Sequence, residues 1–312
     1  MKAELLIMAP MMSRVMATLA SDYVAHRLWE APEPATLLAE LGPRIRAIAT
    51  TGGRGAEAKV IAALPALEII ACYGVGVDAI DLPAARGRGI IVTNTPDVLT
   101  DDVADLGVAL AIAASRRICQ GDRYVRDGAW LKGDMALTRK FTGSKVGIVG
   151  MGRIGQALAR RCAGFDCAIA YHGPRAKPEL PYRYVPGLVE LARDSDFLVL
   201  TCPGGAATRG LVDRAVLDAL GPEGILVNIA RGSVVDEAAL VAALADGRLG
   251  GAALDVFVDE PRVPPALLAM DNVVLQPHVA SATVETRGAM GDLVLTNLRN
   301  HFAGRKVVTP VG

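Results

Sequence analysis

Excess charge of either sign is missing from this chain: 33 lysines and arginines face 33 aspartates and glutamates. Without a net basic field there is no electrostatic footprint for nucleic acid or an anionic membrane, and neither is expected as a partner. Long hydrophobic runs are missing too. Apolar residues make up 52% of the 312 positions, yet no stretch approaches the roughly eighteen uninterrupted ones that cross a bilayer. Cysteine is sparse: Cys72, Cys119, Cys162, Cys167 and Cys202 form no CxxC spacing. Each reads as a small buried hydrophobe in a reducing cytoplasm, so neither a disulfide nor a bound metal is expected. The opening "MKAELLIMAP" carries Glu4 and lacks a small-residue cleavage site. It reads as a first strand and not as a leader, and the expected location is cytoplasmic. Solenoid-length repeats and low-complexity segments are absent as well.

What is present is an alternation. Short β-branched runs are separated by alanine- and leucine-rich segments of helical period, the pattern of βαβ units and parallel sheets. The early runs are "ELLIMA", "RAIATT", "LEIIACY" and "GIIVTN"; from 145 onward come "KVGIVG", "CAIAYH", "FLVLTC", "GILVNIA", "GAALDVF" and "NVVLQ". Between them "DDVADLGVALAIAASRRICQGDRYV" reads as one long helix, opened by carboxylates that suit its N-terminal dipole. The expected architecture is therefore α/β with two lobes. The tail "DLVLTNLRNHFAGR" is helical in pattern and does not say which lobe it joins.

"KVGIVGMGRIGQALARRCAGF" contains Gly150-x-Gly152-x-x-Gly155. The bare motif is weak, and a glycine-rich turn would show the same letters. Here it follows an apolar strand and opens an amphipathic helix, the context in which a backbone can approach a pyrophosphate at a helix N-terminus. About twenty residues on, a NAD site places an acid for the ribose 2′-hydroxyl. This chain has "IAYHGPRAK", with His172 in that place and Arg175 and Lys177 behind it. A guanidinium suits a 2′-phosphate, so NADPH is expected over NADH, with a solvated basic loop as the plain alternative.

Three later strands each deliver polar side chains at or beyond their carboxyl ends, where open α/β sheets bind ligands. "GILVNIARG" delivers Arg231, "GAALDVFVDEP" delivers Asp255 and Glu260, and "NVVLQPH" delivers His278. Singly, these are an ion-pair partner, a turn carboxylate and a core histidine. Together they suit reduction of a 2-keto acid: an imidazole to donate a proton, a carboxylate to orient it, and a guanidinium for the substrate carboxylate and the developing oxyanion. The loops "TTGGRG" and "YGVGVD" also sit at strand ends, where exposed N–H groups could hold a carboxylate or merely make tight turns.

On "YGVGVDAIDL", "GIVGMGRIG", "LVNIARGSVVDEAAL", "GAALDVFVDEP" and "LQPHVASAT" the chain resembles the D-2-hydroxyacid dehydrogenases over nearly its whole length. Within them it is most similar to the NADPH-dependent glyoxylate/hydroxypyruvate reductases and their hydroxyphenylpyruvate-reducing relatives. The resemblance implies a Rossmann-type cofactor domain at 98–285. It also implies a discontinuous, flavodoxin-like substrate domain from 1–97 plus 286–312. It implies catalytic Arg231, Glu260 and His278. Cofactor contacts are implied from Gly150, Gly152, Arg153, Ile154, Gly155, Cys202, Pro203, Ala230 and Asp255, joined by His172 and Arg175 from the reading above. Val75 and Gly76 are implied as donors to the substrate carboxylate, beside Arg231. It further implies a homodimer built on the long helix and the "RDGAWLKGD" arm, with Trp130 in that contact or simply packed. Tyr73 and "APMM" suggest bulky, soft walls that leave room for a phenylpyruvate-type substrate. A non-catalytic, dinucleotide-sensing interaction protein is the alternative from another class. Formate or phosphite oxidation on the same scaffold is a lesser one, because Glu260 stands where formate enzymes carry glutamine.

Overall fold

Each apolar run read as a strand forms one, and every pairing between strands is parallel. The computed structural model describes residues 2–312. In it the chain divides into two units, one built from residues up to Leu99 together with Ser281–Gly312, the other from Thr100–Ala280. The crossings expected from sequence stand at 97/98 and 285/286. Local chemistry sets the observed return point: Arg287 Nε donates to the Ser281 carbonyl, and Thr283 caps the helix Val284–Phe302. The tail whose lobe was open in the sequence thus lies in the first unit.

The first unit holds β1 (Glu4–Ile7), β2 (Val24–Arg27), β3 (Ile45–Thr51), β4 (Ile69–Tyr73) and β5 (Ile91–Thr93), in the order β2-β1-β3-β4-β5. That order is flavodoxin-like. Its core gathers Leu6, Ile48, Val60, Ile61, Ile70 and Val92, all buried.

The second unit holds β6 (Lys145–Val149), β7 (Ala168–His172), β8 (Arg183–Tyr184), β9 (Phe197–Leu200), β10 (Ile225–Asn228), β11 (Gly251–Leu254) and β12 (Val273–Leu275). Their order is β12-β11-β10-β9-β6-β7-β8. From β6 the chain winds outward one way, then returns to β9 and winds the other way, which is the doubly wound Rossmann arrangement. Strands β9, β10 and β11 are buried at every residue, as expected when a parallel sheet is covered on both faces. Leu198, Leu226, Leu240 and Leu254 lie in the core there.

Two readings of secondary structure need correction, and Cys119, expected to be buried like the other cysteines, is exposed. The strands β2 and β8 were not foreseen: "VAHR" and "RY" carry no apolar run, because neither strand holds a buried residue. The long helix is two, Thr100–Ser115 and Ile118–Arg126, broken at Arg117, whose backbone is left-handed (φ 51°). The Arg139 N–H takes the Ser115 carbonyl at 3.2 Å, so that carbonyl is satisfied from outside the helix. No helix among the described residues is long and apolar enough to cross a membrane.

Candidate active site

The order reversal between β6 and β9 opens a crevice at their carboxyl ends, and the glycine motif lies in it. Gly150 has φ 97°, and a Cβ there would fall 2.7 Å from the Cys202 backbone, so only glycine fits between the two strand ends. A Cβ on Gly155 would lie 2.1 Å from the Gly150 carbonyl oxygen, whereas one on Gly152 would meet nothing within 4 Å. The turn is thus packed on its inner side and open on its outer side. Gly152 caps the helix Arg153–Ala163 without any side-chain acceptor, leaving the first-turn N–H groups of Ile154 and Gly155 without intrahelical partners. An open space before free helix N–H groups suits a pyrophosphate. Cys202 is buried, which pushes its thiol up to about 11 and removes it as a nucleophile, and Pro203 beyond it is exposed.

His172 closes β7, half-buried, with Nδ1 3.1 Å from the Val185 carbonyl oxygen. Its own carbonyl accepts the Gly150 N–H at 2.8 Å. Arg175 follows in an exposed loop and makes no ion pair among the described residues, while Lys177 is half-buried.

At the carboxyl ends of β10, β11 and β12 a second cluster forms. His278 Nδ1 lies 2.7 Å from Glu260 Oε2, and Glu260 Oε1 accepts the Phe257 N–H at 3.1 Å. Burial would raise the Glu260 carboxyl. The hydrogen bond and charge of His278, the Phe257 N–H and the Arg231 charge together hold it below the usual carboxylate range. An ionised carboxylate only accepts, so His278 Nδ1 carries a proton toward it, and Nε2 is left facing away without a partner among the described residues. The side chains are 38% and 32% exposed, so a ligand can reach the pair.

Asp255 is fully buried, with its Oδ1 accepting the Val279 N–H at 2.7 Å and its Oδ2 the Ala280 N–H at 3.0 Å. Burial raises its carboxyl, against those two N–H groups and the His278 charge. These bonds hold the chain just after His278, whose φ is 54°. A left-handed non-glycine residue costs about 1–2 kcal/mol, and hydrogen bonds to a charged group contribute about 1.5–3 kcal/mol each. The strain is therefore offset, and Asp255 fixes where the imidazole starts.

Arg231 is half-buried, and its Nη1 donates to the Ala230 carbonyl at 2.7 Å. Two residues that sequence reasoning missed shape its surroundings. Asn228, 1% exposed, donates from Nδ2 to the Arg231 carbonyl and accepts the Ala230 N–H on Oδ1. Glu237 accepts the Val258 N–H and ties down the turn before Glu260. The lone amide at the end of the apolar run "ILVN" was the available signal for Asn228.

In the first unit, taken by itself, the turn after β4 exposes Val75 and half-exposes Gly76. Asn94 Nδ2 donates to the Val75 carbonyl at 2.9 Å, and neither the Val75 nor the Gly76 N–H has an acceptor among the described residues. Tyr73 is buried, and its hydroxyl donates to the Arg287 carbonyl at 2.7 Å beneath the Arg287 guanidinium. Its ring is thus committed to packing.

A glycine turn at the switch point of a doubly wound parallel sheet, open toward free helix N–H groups, defines a dinucleotide-binding protein. Residues 108–280 match the family model of the D-isomer specific 2-hydroxyacid dehydrogenase NAD-binding domain. The chain belongs to the D-isomer specific 2-hydroxyacid dehydrogenases. It is 51% identical over 306 residues to glyoxylate/hydroxypyruvate reductase A of Arabidopsis thaliana, covering 98% of each chain. It is equally similar, 51% over 306 residues and 98% of each, to hydroxyphenylpyruvate reductase of Plectranthus scutellarioides. Among solved structures it is similar to the NADPH-dependent glyoxylate/hydroxypyruvate reductase of Sinorhizobium meliloti in complex with NADP and malonate. There the TM-score is 0.94 and the identity 42%, over 100% of this chain and 97% of that one.

Proposed function

We propose that this protein reduces a small 2-keto acid of the glyoxylate/hydroxypyruvate class to the D-2-hydroxy acid with NADPH. The observation that carries the reading is the His278–Glu260 pair at 2.7 Å, at a strand mouth in the same sheet as the glycine turn. When bound on that turn, with its pyrophosphate at Gly152, Arg153 and Ile154, the nicotinamide cofactor supplies the hydride. Ala230, Asp255, Cys202 and Pro203 belong to the walls of that site. Arg231 holds the substrate carboxylate and meets the negative charge that grows on the carbonyl oxygen. His278 Nε2–H donates its proton to that oxygen, and the imidazolium becomes imidazole. Glu260 stays ionised and keeps the ring oriented through its hydrogen bond to Nδ1. The paired N–H groups of Val75 and Gly76 fit a carboxylate.

Cofactor choice is read at Arg175, an exposed guanidinium without an acidic partner among the described residues, with His172 where an acid would favour NADH. The cytoplasm is the proposed location and a two-fold homodimer the proposed assembly. Ile118, Val125, Trp130 and Leu131 leave exposed apolar surface for a second copy to bury. Similarity to a hydroxyphenylpyruvate reductase favours a second reading, the same chemistry on a phenylpyruvate-type acid. Steady-state kinetics with glyoxylate, hydroxypyruvate and hydroxyphenylpyruvate, each with NADPH and NADH, tests both readings. The first expects the small acids to have the higher kcat/KM with NADPH; a higher value for hydroxyphenylpyruvate selects the second. Turnover on none of the three sinks both.

A further inference from the structure

We propose that Tyr171 and Tyr184 are positioning residues for cofactor choice, their hydroxyls clamping both ends of the loop Gly173–Lys177 so that Arg175 is held ready for a ribose 2′-phosphate. The inference rests on the NADPH reading above.

Tyr171 lies in β7 and is 1% exposed. Its hydroxyl accepts the Lys177 N–H at 2.6 Å and itself donates to the Lys177 carbonyl at 3.4 Å. Tyr184 lies in the neighbouring strand β8, and its hydroxyl donates to the Gly173 carbonyl at 3.1 Å. The two rings pack together with centroids 5.4 Å apart. Packing alone would be served by phenylalanine. A buried tyrosine hydroxyl needs a partner, and both of these hydroxyls take theirs from the backbone of one loop. The clamp spans the segment that carries Arg175.

The effect should be selective. Ordering a long side chain and a loop costs conformational entropy, and a loop already fixed loses less on binding. A ligand with a 2′-phosphate draws on the loop's order; one with a bare ribose draws on it far less. The near side of the site is anchored separately, because the Gly150 N–H donates to the His172 carbonyl upstream of the loop.

The test is calorimetric titration of the full-length chain with 2′-phospho-ADP-ribose and with ADP-ribose, neither of which carries a nicotinamide or turns over. Variants are Tyr171→Phe, Tyr184→Phe and Arg175→Ala. Each tyrosine variant is expected to weaken the 2′-phosphorylated ligand about two- to tenfold, the range of a single net hydrogen bond, while ADP-ribose stays within about twofold. Tyr184→Phe removes a half-buried hydroxyl and guards against a folding defect at Tyr171, and ADP-ribose binding reports an intact site in both. The clamp is overturned if either tyrosine variant loses both ligands equally or keeps the parental ratio while Arg175→Ala abolishes the preference; the NADPH reading then stands. If Arg175→Ala leaves the preference intact, the clamp fails while the NADPH reading stands; if the parent chain shows no preference for the 2′-phosphorylated ligand, both fail.

Discussion

Three of the four histidines pair with a glutamate, and the two units use the same pair differently. In the first unit His26 meets Glu4 at 2.9 Å and His301 meets Glu68 at 2.9 Å. Glu4 opens β1 and Glu68 directly precedes β4, so both pairs sit toward the amino ends of the sheet's strands. Each glutamate is also taken by an arginine: Arg44 on Glu4 at 2.8 Å, and Arg46 on Glu68 through two bonds at 2.6 and 3.1 Å. In the second unit the pair sits at the carboxyl ends, and Glu260 takes a backbone N–H in place of an arginine hydrogen bond. An imidazole beside an arginine-saturated carboxylate is part of an ion network. An imidazole whose other nitrogen is free at a strand mouth can deliver a proton.

The strongest way to break this comparison is to remove each ring. His278→Ala should lower kcat for keto-acid reduction by about a hundredfold or more, whereas His26→Ala and His301→Ala should leave kcat within about twofold. Near-normal turnover in His278→Ala would remove the distinction. Asp255→Asn should come next. An amide nitrogen facing the Val279 or Ala280 N–H leaves a buried donor unpaired, at about 1–3 kcal/mol, so the His278 backbone is no longer held. A kcat loss of about tenfold or more is expected, with cofactor affinity changed far less; a loss confined to cofactor affinity would mean that Asp255 serves the cofactor alone.

Glu260→Gln sharpens the comparison through pH. With the carboxylate gone, the acid limb that its protonation sets in the parent should disappear from the reduction profile. In the parent, Glu260 is held below the usual carboxylate range, so the acid side should stay flat until that carboxylate protonates. An acid limb that persists unchanged in Glu260→Gln takes Glu260 out of the acid/base pair.

The smallest effect belongs to the first unit. Glu68 is held below the usual range by its hydrogen bond to Arg46, against burial and with His301 assisting. A depressed carboxylate contributes stability above its unfolded pKa, about 4.3, which is lost as pH falls through the folded value. Glu68→Gln should therefore cost about 1 kcal/mol or less at neutral pH, and the deficit should shrink below about pH 4. Denaturant titrations at several pH values would show it. A deficit that grows in acid has the wrong sign for this account.

Much of this was legible in the chain. Ten strands announce themselves as apolar runs because buried parallel strands need them. The glycine turn is readable because its three glycines answer contacts within one strand-turn-helix unit. Arg231, Asp255, Glu260 and His278 stand out as polar residues just past apolar runs, where the chain must leave the sheet. Those signals are local, and local chemistry is what sequence patterns record. The edges β2 and β8 left no such mark, since neither strand holds a buried residue. Only tertiary structure set the rest. At the break at Arg117, Arg139 reaches the Ser115 carbonyl from a distant part of the chain. Asp255 finds Val279 and Ala280 across neighbouring strands. His301 meets Glu68 across 233 positions, while His278 finds Glu260 only 18 away. The letters mark His278 by its place just past an apolar run, but not which glutamate each histidine meets; the end of the sheet at which packing places each glutamate decides that.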